Sequence, residues 1–179
     1  MNQHPRDLSV PVTHIDHILG PEHAKVTVVE YGDFECPTCK QAAPSLKLLL
    51  DHFPGQVRLV FRHFPLEGLH PHALAAAEAA EVAGAQGKFW EMHDLLFAHQ
   101  LHLKSAQIRS YAEQLNLDMS RYTAEMDDEI YRQRIREHIE GGKRSGVRAT
   151  PGIFLNGVIH DVSAGMQSLF DEVEATLRK

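Results

Sequence analysis

Cysteine is scarce in this chain of 179 residues, and its scarcity excludes several classes of protein. Only two cysteines are present, and both lie in one short motif. A small secreted protein held together by disulfides would carry more cysteines, spread along the chain. The two cysteines could form a tetrahedral zinc site only with two further ligands, and the 13 histidines show no spacing that offers them. We therefore predict no bound metal ion and no cofactor.

Long apolar runs and an excess of positive charge are also lacking. Residues 1–7 do not have the apolar core of a signal peptide, and no stretch approaches the ~20 apolar residues that span a bilayer. The formal net charge of −6 argues against a nucleic-acid binder, which needs clustered Lys and Arg. As written, the sequence predicts a cytoplasmic monomer that binds neither nucleic acid nor membrane. The same chain would be periplasmic if an export signal had been removed from it.

The most informative feature that is present is the motif Cys36-Pro37-Thr38-Cys39. It follows a predicted apolar strand at 26–31 and begins a predicted helix. Two thiols separated by two residues at a helix N-terminus can form and break one small disulfide. The positive end of the helix dipole favours the thiolate, which is the reactive form. The motif therefore predicts thiol–disulfide chemistry.

The periodicity of apolar residues predicts the order of the other elements. Alternation at Val57, Leu59 and Phe61 predicts a second strand, and helical spacing then continues to the pair Gly141-Gly142, where we expect the last helix of the block to end. The order is βαβ, a helical block, then ββα, with a tight hairpin at Asn156-Gly157. The predicted divisions are an N-terminal arm (1–24), the two parts of an α/β domain (25–66 and 146–179) and a helical insertion (67–145).

Four motifs in this order resemble the DsbA-like thiol–disulfide oxidoreductases. They are the CxxC segment 33–39, the strand end 61–66, the segment 86–93 in the helical block, and Gly146-Val147 with Thr150-Pro151. The match covers residues 24 to 178. The resemblance implies an α/β thioredoxin fold (βαβ…ββα) with an inserted all-helical domain.

The resemblance also implies roles for residues of the motifs. Cys36 is the exposed nucleophile and Cys39 the buried resolving thiol, with Pro37 and Thr38 forming the active-site loop between them. The Thr150–Pro151 peptide bond is expected to be cis, beside the motif. The backbone N–H and C=O of Thr150 would then pair with an extended substrate peptide, a form of strand addition.

Glu30 interrupts the apolar strand that precedes the motif, and two interpretations remain open. The resemblance places a buried acid there, which could take the proton of Cys39 as that thiol attacks. Alternatively, Glu30 faces solvent on an edge strand or pairs with a nearby Lys or Arg. Glu35 directly precedes the nucleophile, and Thr38 stands where strongly oxidising members of the family carry His. Both residues predict a less oxidising reduction potential than those members have.

The predicted function is that of an enzyme, a DsbA-like protein-disulfide oxidoreductase. It would exchange a Cys36–Cys39 disulfide or dithiol with protein or small-molecule thiols through a mixed disulfide at Cys36. A second redox protein would recycle the motif, and the direction, oxidase or reductase, stays open. The alternative is a redox-regulated peptide-binding module that uses the groove beside Pro151 without turnover.

Overall fold

The structure is a computed structural model that describes residues 7–179. Five strands form one mixed sheet in the order β1-β3-β2-β4-β5. The pair β2 and β3 is parallel, and the pairs β1–β3, β2–β4 and β4–β5 are antiparallel. The strands are β1 (His17–Leu19), β2 (Val26–Gly32), β3 (Val57–His63), β4 (Gly152–Leu155) and β5 (Val158–His160).

Seven helices connect and cover this sheet. One helix joins β2 to β3, five follow one another between β3 and β4, and the last one ends the domain. This is the predicted thioredoxin fold with an inserted all-helical block; the exact domain divisions stay a prediction. The helices are α1 (Pro37–His52), α2 (Ala73–Ala85), α3 (Phe89–Ala98), α4 (Ser105–Gln114), α5 (Met119–Asp127), α6 (Arg132–Arg144) and α7 (Gln167–Leu177).

The two faces of β2 decide what surrounds the motif. Successive side chains of a strand point to opposite faces. Val26 and Val28 pack with α1 and α7, whereas Val29 and Tyr31 pack on the opposite face, which Ile139 of α6 also contacts. Glu30 points to the same face as Val26 and Val28, because it follows Val28 by two residues. Its carboxyl group is therefore on the face covered by α1, the helix that the motif begins.

Strand β3 differs from its predicted alternation, because both of its faces are buried. Val60, expected to point outward, is fully buried, and Arg62 is only 2% exposed. The guanidinium of Arg62 forms an ion pair with Asp16, with Nε 2.8 Å from Oδ1, and donates to the carbonyls of Val10 and Pro11. The N-terminal arm thus covers this face and pairs with the sheet edge through β1. Residues 1–6 of that predicted arm lie outside the described residues.

The end predicted for the helical block was wrong. Gly141 and Gly142 do not terminate a helix but lie inside α6, which continues to Arg144. A Cβ on Gly142 would be 2.8 Å from the ring of Phe64 and 3.0 Å from that of Tyr31. Glycine is therefore needed for the close approach of α6 to the sheet, rather than for a helix end.

The predicted hairpin is present. Asn156 (φ 46°) and Gly157 (φ 86°) both have positive φ, as the central residues of a type I′ turn require, and join β4 to β5. None of the helices found within residues 7–179 has the length and apolar character needed to cross a membrane.

Candidate active site

The CxxC motif lies where β2 ends and α1 begins. Cys36 is the N-cap residue of α1, and Pro37 is in the first turn. That position exposes Cys36 to the positive end of the helix dipole. The structure shows the dithiol form, with Cys36 6% exposed and Cys39 completely buried, while Pro37 and Thr38 between them are exposed. Cys36 was expected to be exposed; it is instead largely buried in the dithiol form, beside the exposed residues Pro37 and Thr38.

The two thiols differ in how readily they ionise. A hydrogen bond from the Cys39 thiol lowers the pKa of Cys36 to about 5, against the opposing effect of burial, with additional help from the Thr150 side chain. Burial raises the pKa of Cys39 far above its ordinary value, and its hydrogen bond to Cys36 and the charge of Glu30 act in the same direction. Near neutral pH, Cys36 is therefore the thiolate and Cys39 the thiol.

The Thr150–Pro151 peptide bond is cis, and it lies directly beside Cys36. The Cys36 thiol donates to the carbonyl of Thr150, with 3.5 Å between Sγ and O. The Thr150 hydroxyl is buried and has no hydrogen-bond partner within residues 7–179 while Cys36 is a thiol. It is thus available to the sulfur once Cys36 ionises.

A groove of about 710 Å³ begins at these residues. Thr38, Thr150 and Pro151 line it together, so one surface joins the motif to the cis-proline turn. Exposed Arg148 and Asp161 contribute charges of opposite sign to the walls. The groove is open along one side, as a site for an extended peptide must be.

Glu30 is fully buried in the central strand β2, which excludes the solvent-facing interpretation of the sequence. Neither carboxylate oxygen has a hydrogen-bond partner in the described part of the chain, so the predicted pairing with Lys or Arg is also wrong. Burial raises the pKa of Glu30 to about 8, with a contribution from the negative charge of Cys36. Glu30 is a carboxyl group that can hold or release a proton near neutral pH, next to the thiol pair.

Two groups at the motif were not identified from the sequence. The side-chain amide of Gln100, after α3, donates to the carbonyls of Phe34 (2.8 Å) and Cys36 (2.9 Å), so the helical block holds the catalytic turn. Asp33 is completely buried before the motif and accepts a hydrogen bond from His70. No local pattern identifies either contact, because 66 and 37 residues separate the partners along the chain.

A second polar cluster lies away from the thiols. His17, His63 and Glu81 bring three potential metal ligands within 4.8 Å of one another, a grouping that the scattered histidine spacing did not indicate. Both imidazoles donate to the same Glu81 oxygen, at 2.9 and 2.8 Å, and the Nε atom of Arg134 is 3.1 Å from the other oxygen. The guanidinium already balances the charge of the carboxylate, so the donor set does not favour a divalent cation.

Comparisons with known proteins agree with this fold. The thioredoxin family model matches residues 13–175. The crystal structure of oxidised BdbD from Bacillus subtilis is 22% identical with a TM-score of 0.82, covering 92% of this chain and 94% of that one. A thioredoxin-like oxidoreductase from Silicibacter pomeroyi is 26% identical with a TM-score of 0.77, covering 92% and 93%. The thiol–disulfide exchange protein alpha-DsbA2 from Wolbachia pipientis is also similar, with a TM-score of 0.77 at 20% identity, covering 90% and 87%.

The chain therefore belongs to the thioredoxin family, and its fold is that of the DsbA-like thiol–disulfide oxidoreductases. Sequence relatives with higher identity bear a different name. A protein named Na(+)/H(+) antiporter NhaA 1, from Salinispora arenicola, is 51% identical over 164 residues, which are 91% of this chain and 25% of the relative. A second, named Na(+)/H(+) antiporter NhaA 3, from Salinispora tropica, is 48% identical over the same shares. The chain spans about a quarter of the length of these curated relatives.

Proposed function

We propose that this protein is a thiol–disulfide oxidoreductase that exchanges its Cys36–Cys39 dithiol or disulfide with protein thiols. The observation that carries the proposal is the asymmetry of the thiols: a Cys36 thiolate at the helix N-terminus beside the cis Thr150–Pro151 bond, and a protonated, enclosed Cys39. Exchange needs one good nucleophile that a client can reach and one thiol that reacts only within the protein.

In the oxidising direction, a client thiolate attacks Sγ of Cys36 in the disulfide form. The Cys36–Cys39 bond breaks, a mixed disulfide forms between the client and Cys36, and Cys39 leaves as the thiolate. A second client thiolate attacks the client sulfur of the mixed disulfide and expels Cys36 as the thiolate. The client loses two electrons, which the two cysteines gain. A separate redox protein must then reoxidise them.

Glu30 controls the proton in the step that involves Cys39. The Cys39 thiolate that leaves is buried, and Glu30 can supply the proton that it needs. In the reverse direction, Cys39 gives its proton to Glu30 as it attacks Sγ of Cys36. The negative charge of Cys36 contributes to the raised pKa of Glu30, and that charge disappears in the mixed disulfide. Glu30 therefore ionises more readily when a base for Cys39 is required.

The direction follows from the stability of the Cys36 thiolate. Whatever stabilises that thiolate stabilises the dithiol form, and so makes the disulfide a stronger oxidant. A pKa of about 5 lies between the ~7 of thioredoxin and the ~3.5 of DsbA. We infer a moderately oxidising disulfide that accepts electrons from client dithiols.

The groove beside Pro151 supports an extended polypeptide as the client. The backbone of the bound polypeptide would pair with Thr150. Side chains of the polypeptide on either side would contact Arg148 and Asp161. The antiporter names of the two Salinispora relatives describe proteins of about four times the matched length. The match covers the thioredoxin-like part of this chain, so we infer thiol–disulfide exchange, and not ion transport, as its activity.

The direct test is stoichiometric oxidation of a dithiol peptide by the disulfide form, followed by alkylation and mass spectrometry. We expect one disulfide formed in the peptide for each one lost from the protein. Cys36→Ser should abolish the reaction. Cys39→Ser cannot form the disulfide and should also fail to oxidise the peptide. Given the oxidised peptide instead, its Cys36 thiolate should attack the peptide disulfide and accumulate as a mixed disulfide, because no resolving thiol remains.

The same experiment separates an enzyme from a peptide-binding module without turnover. A module would bind the peptide with an affinity that depends on its redox state but would leave the peptide thiols free. Peptide binding without any transfer of the disulfide, in a protein whose Cys36–Cys39 bond has been verified, would overturn the proposal.

A further inference from the structure

The loop between β3 and α2 contacts the catalytic turn through Asp33. The Asp33 carboxylate is completely buried and accepts three N–H groups. Oδ2 accepts from the ring Nδ1 of His70 at 2.7 Å and from the backbone of Leu66 at 2.8 Å, and Oδ1 accepts from the backbone of Glu35 at 2.7 Å. A carboxylate is an acceptor only, so the imidazole of His70 is the donor in this pair.

Asp33 is also part of the turn that holds both thiols. Its backbone carbonyl accepts the N–H of Cys36 at 3.1 Å, and its own N–H is directed at Sγ of Cys39, 3.5 Å away. His70 is therefore joined through a single residue to the backbone of the nucleophile and to the sulfur of its partner. The imidazole is placed at the edge of the active site and not in the remote polar cluster.

The charges around His70 favour its protonated form. Burial by itself lowers the pKa of His70, but the hydrogen bond to Asp33 and the negative charges of Asp33, Cys36 and Glu35 outweigh it, so the pKa is raised. The side chain is 19% exposed, so protons can reach it from solvent. Glu30 and Cys39 are the other titratable groups that act on the thiols. Of all these groups, His70 is the one that can carry a positive charge.

We propose that His70, held by Asp33, is a positioning residue that provides the positive charge stabilising the Cys36 thiolate, and that its protonation couples the oxidising strength of the disulfide to pH. The inference rests on the proposed function and adds regulation of the same site. This charge adds to the hydrogen bonds of Cys39 and Thr150 that lower the pKa of Cys36, and it comes from the loop after β3 rather than from position 38, which is Thr in this motif.

The coupling must be reciprocal. If His70⁺ stabilises the Cys36 thiolate, the thiolate raises the pKa of His70 by the same free energy. Formation of the disulfide removes the thiolate, and the titration of His70 must then move to lower pH. This consequence can be measured on the unaltered protein.

The first experiment follows the ring protons of His70 by NMR from pH 5 to 9 in the dithiol and disulfide forms. His70→Gln serves to assign the resonance. We expect the titration midpoint of His70 to be about one pH unit lower in the disulfide form than in the dithiol form. One unit is the lower end of the pKa shift that an opposite charge at close range causes. Equal midpoints in the two forms would overturn the inference.

The second experiment separates the charge of His70 from its structural contact. His70→Gln retains an N–H donor for Asp33 but cannot become positive, whereas His70→Lys retains the charge. The thiolate absorbance of Cys36 and the equilibrium with glutathione are recorded against pH. We expect His70→Gln to shift the equilibrium about tenfold towards the disulfide and to reduce its dependence on pH, and His70→Lys to restore the wild-type equilibrium below pH 7.

The control is His72→Gln, two residues along the same loop. The hydrogen bond that joins His72 to the motif in the described structure uses its backbone N–H, which donates to Glu35, so replacement of its imidazole should leave the equilibrium unchanged. If both His70 variants shift the equilibrium equally, His70 has only a structural role and the inference is wrong. A wild-type protein that does not equilibrate with glutathione at all would instead contradict the proposed function.

Discussion

Two buried glutamates near β3 illustrate how one residue type serves different ends. Glu81 of α2 accepts hydrogen bonds from His17 and His63 and lies beside Arg134. Burial alone would raise the pKa of Glu81, but these partners outweigh it and hold the pKa well below its ordinary value. Glu30 of β2 has no such partner within the described chain, and burial raises its pKa to about 8.

The difference shows that partners, rather than burial, decide whether an interior carboxyl group is charged. A partnered carboxylate remains an anion and holds elements together, as Glu81 connects α2, β1, β3 and α6. A buried carboxyl group without partners has a pKa raised towards neutral pH, so it is available for proton transfer. Burial of Glu30 disfavours its charged form, and the mechanism we propose uses this carboxyl group, near the thiols, for proton transfer.

The largest expected effect is the loss of stability when Glu81 is removed. Glu81→Ala leaves two imidazoles without their shared acceptor and a guanidinium without its ion-pair partner, so we expect a loss of about 3–5 kcal/mol in the free energy of unfolding. Urea denaturation measures it. Glu113→Ala, which removes an exposed ion pair with Arg109, is the matched control and should change stability by about 0.5 kcal/mol or less. Equal losses in the two variants would contradict a structural role for Glu81.

The two glutamates should give opposite dependences of stability on pH. The pKa of Glu30 is raised from 4.5 in the unfolded chain to about 8, so the native protein binds the extra proton and stability falls as pH rises across that range. We expect the dithiol form of Glu30→Gln to become more stable than wild type by a few kcal/mol by pH 8, since one pKa unit is about 1.4 kcal/mol.

For Glu81 the sign is reversed. Its pKa is lowered in the folded protein, so its contribution is present above the unfolded value of 4.5 and is lost as pH falls below it. Glu81→Gln should therefore approach wild type in acid and diverge from it at neutral pH. Urea denaturation of both variants between pH 3 and 9 tests the pair, and parallel curves for all three proteins would refute the comparison.

A kinetic prediction isolates the role of Glu30. Glu30→Gln should slow the attack of Cys39 on the mixed disulfide by about 100-fold, because Cys39 loses the base that takes its proton. The attack of Cys36 on a client disulfide should change little. Rapid quenching with acid, followed by mass spectrometry, resolves the two steps. Equal slowing of both steps would mean that Glu30 acts on Cys36 or on the fold instead.

The smallest effect concerns one partner of Glu81. The ring of His17 stacks on Phe89 with 3.5 Å between centroids, so His17→Phe keeps an aromatic contact and removes only the hydrogen bond to the carboxylate. We expect a loss of about 1–2 kcal/mol in the free energy of unfolding, since His63 and Arg134 remain. A loss as large as that of Glu81→Ala would show that the hydrogen bond of His17, and not those of the remaining partners, provides most of the stabilisation from Glu81.

Local sequence predicted the elements well and their burial less well. The CxxC helix start, the type I′ hairpin and the two parallel strands each follow from signals within a few residues. The sequence-based errors occurred where a distant element covers a residue. Val60 is buried because the N-terminal arm and α6 cover its face of the sheet, and Gly142 is inside α6 at the point where that helix approaches Phe64. No short-range pattern contains the covering residues in either case.

For the candidate site, the division is the same. The sequence by itself determined the two thiols, their place at a helix N-terminus, and an acidic residue on the preceding strand. Only the tertiary structure decided that Glu30 has no hydrogen-bond partner among residues 7–179 while Glu81 contacts His17, His63 and Arg134, and that His70 donates to Asp33. Ionisation depends on desolvation and on charges a few ångströms away, and residues far apart in sequence supply both.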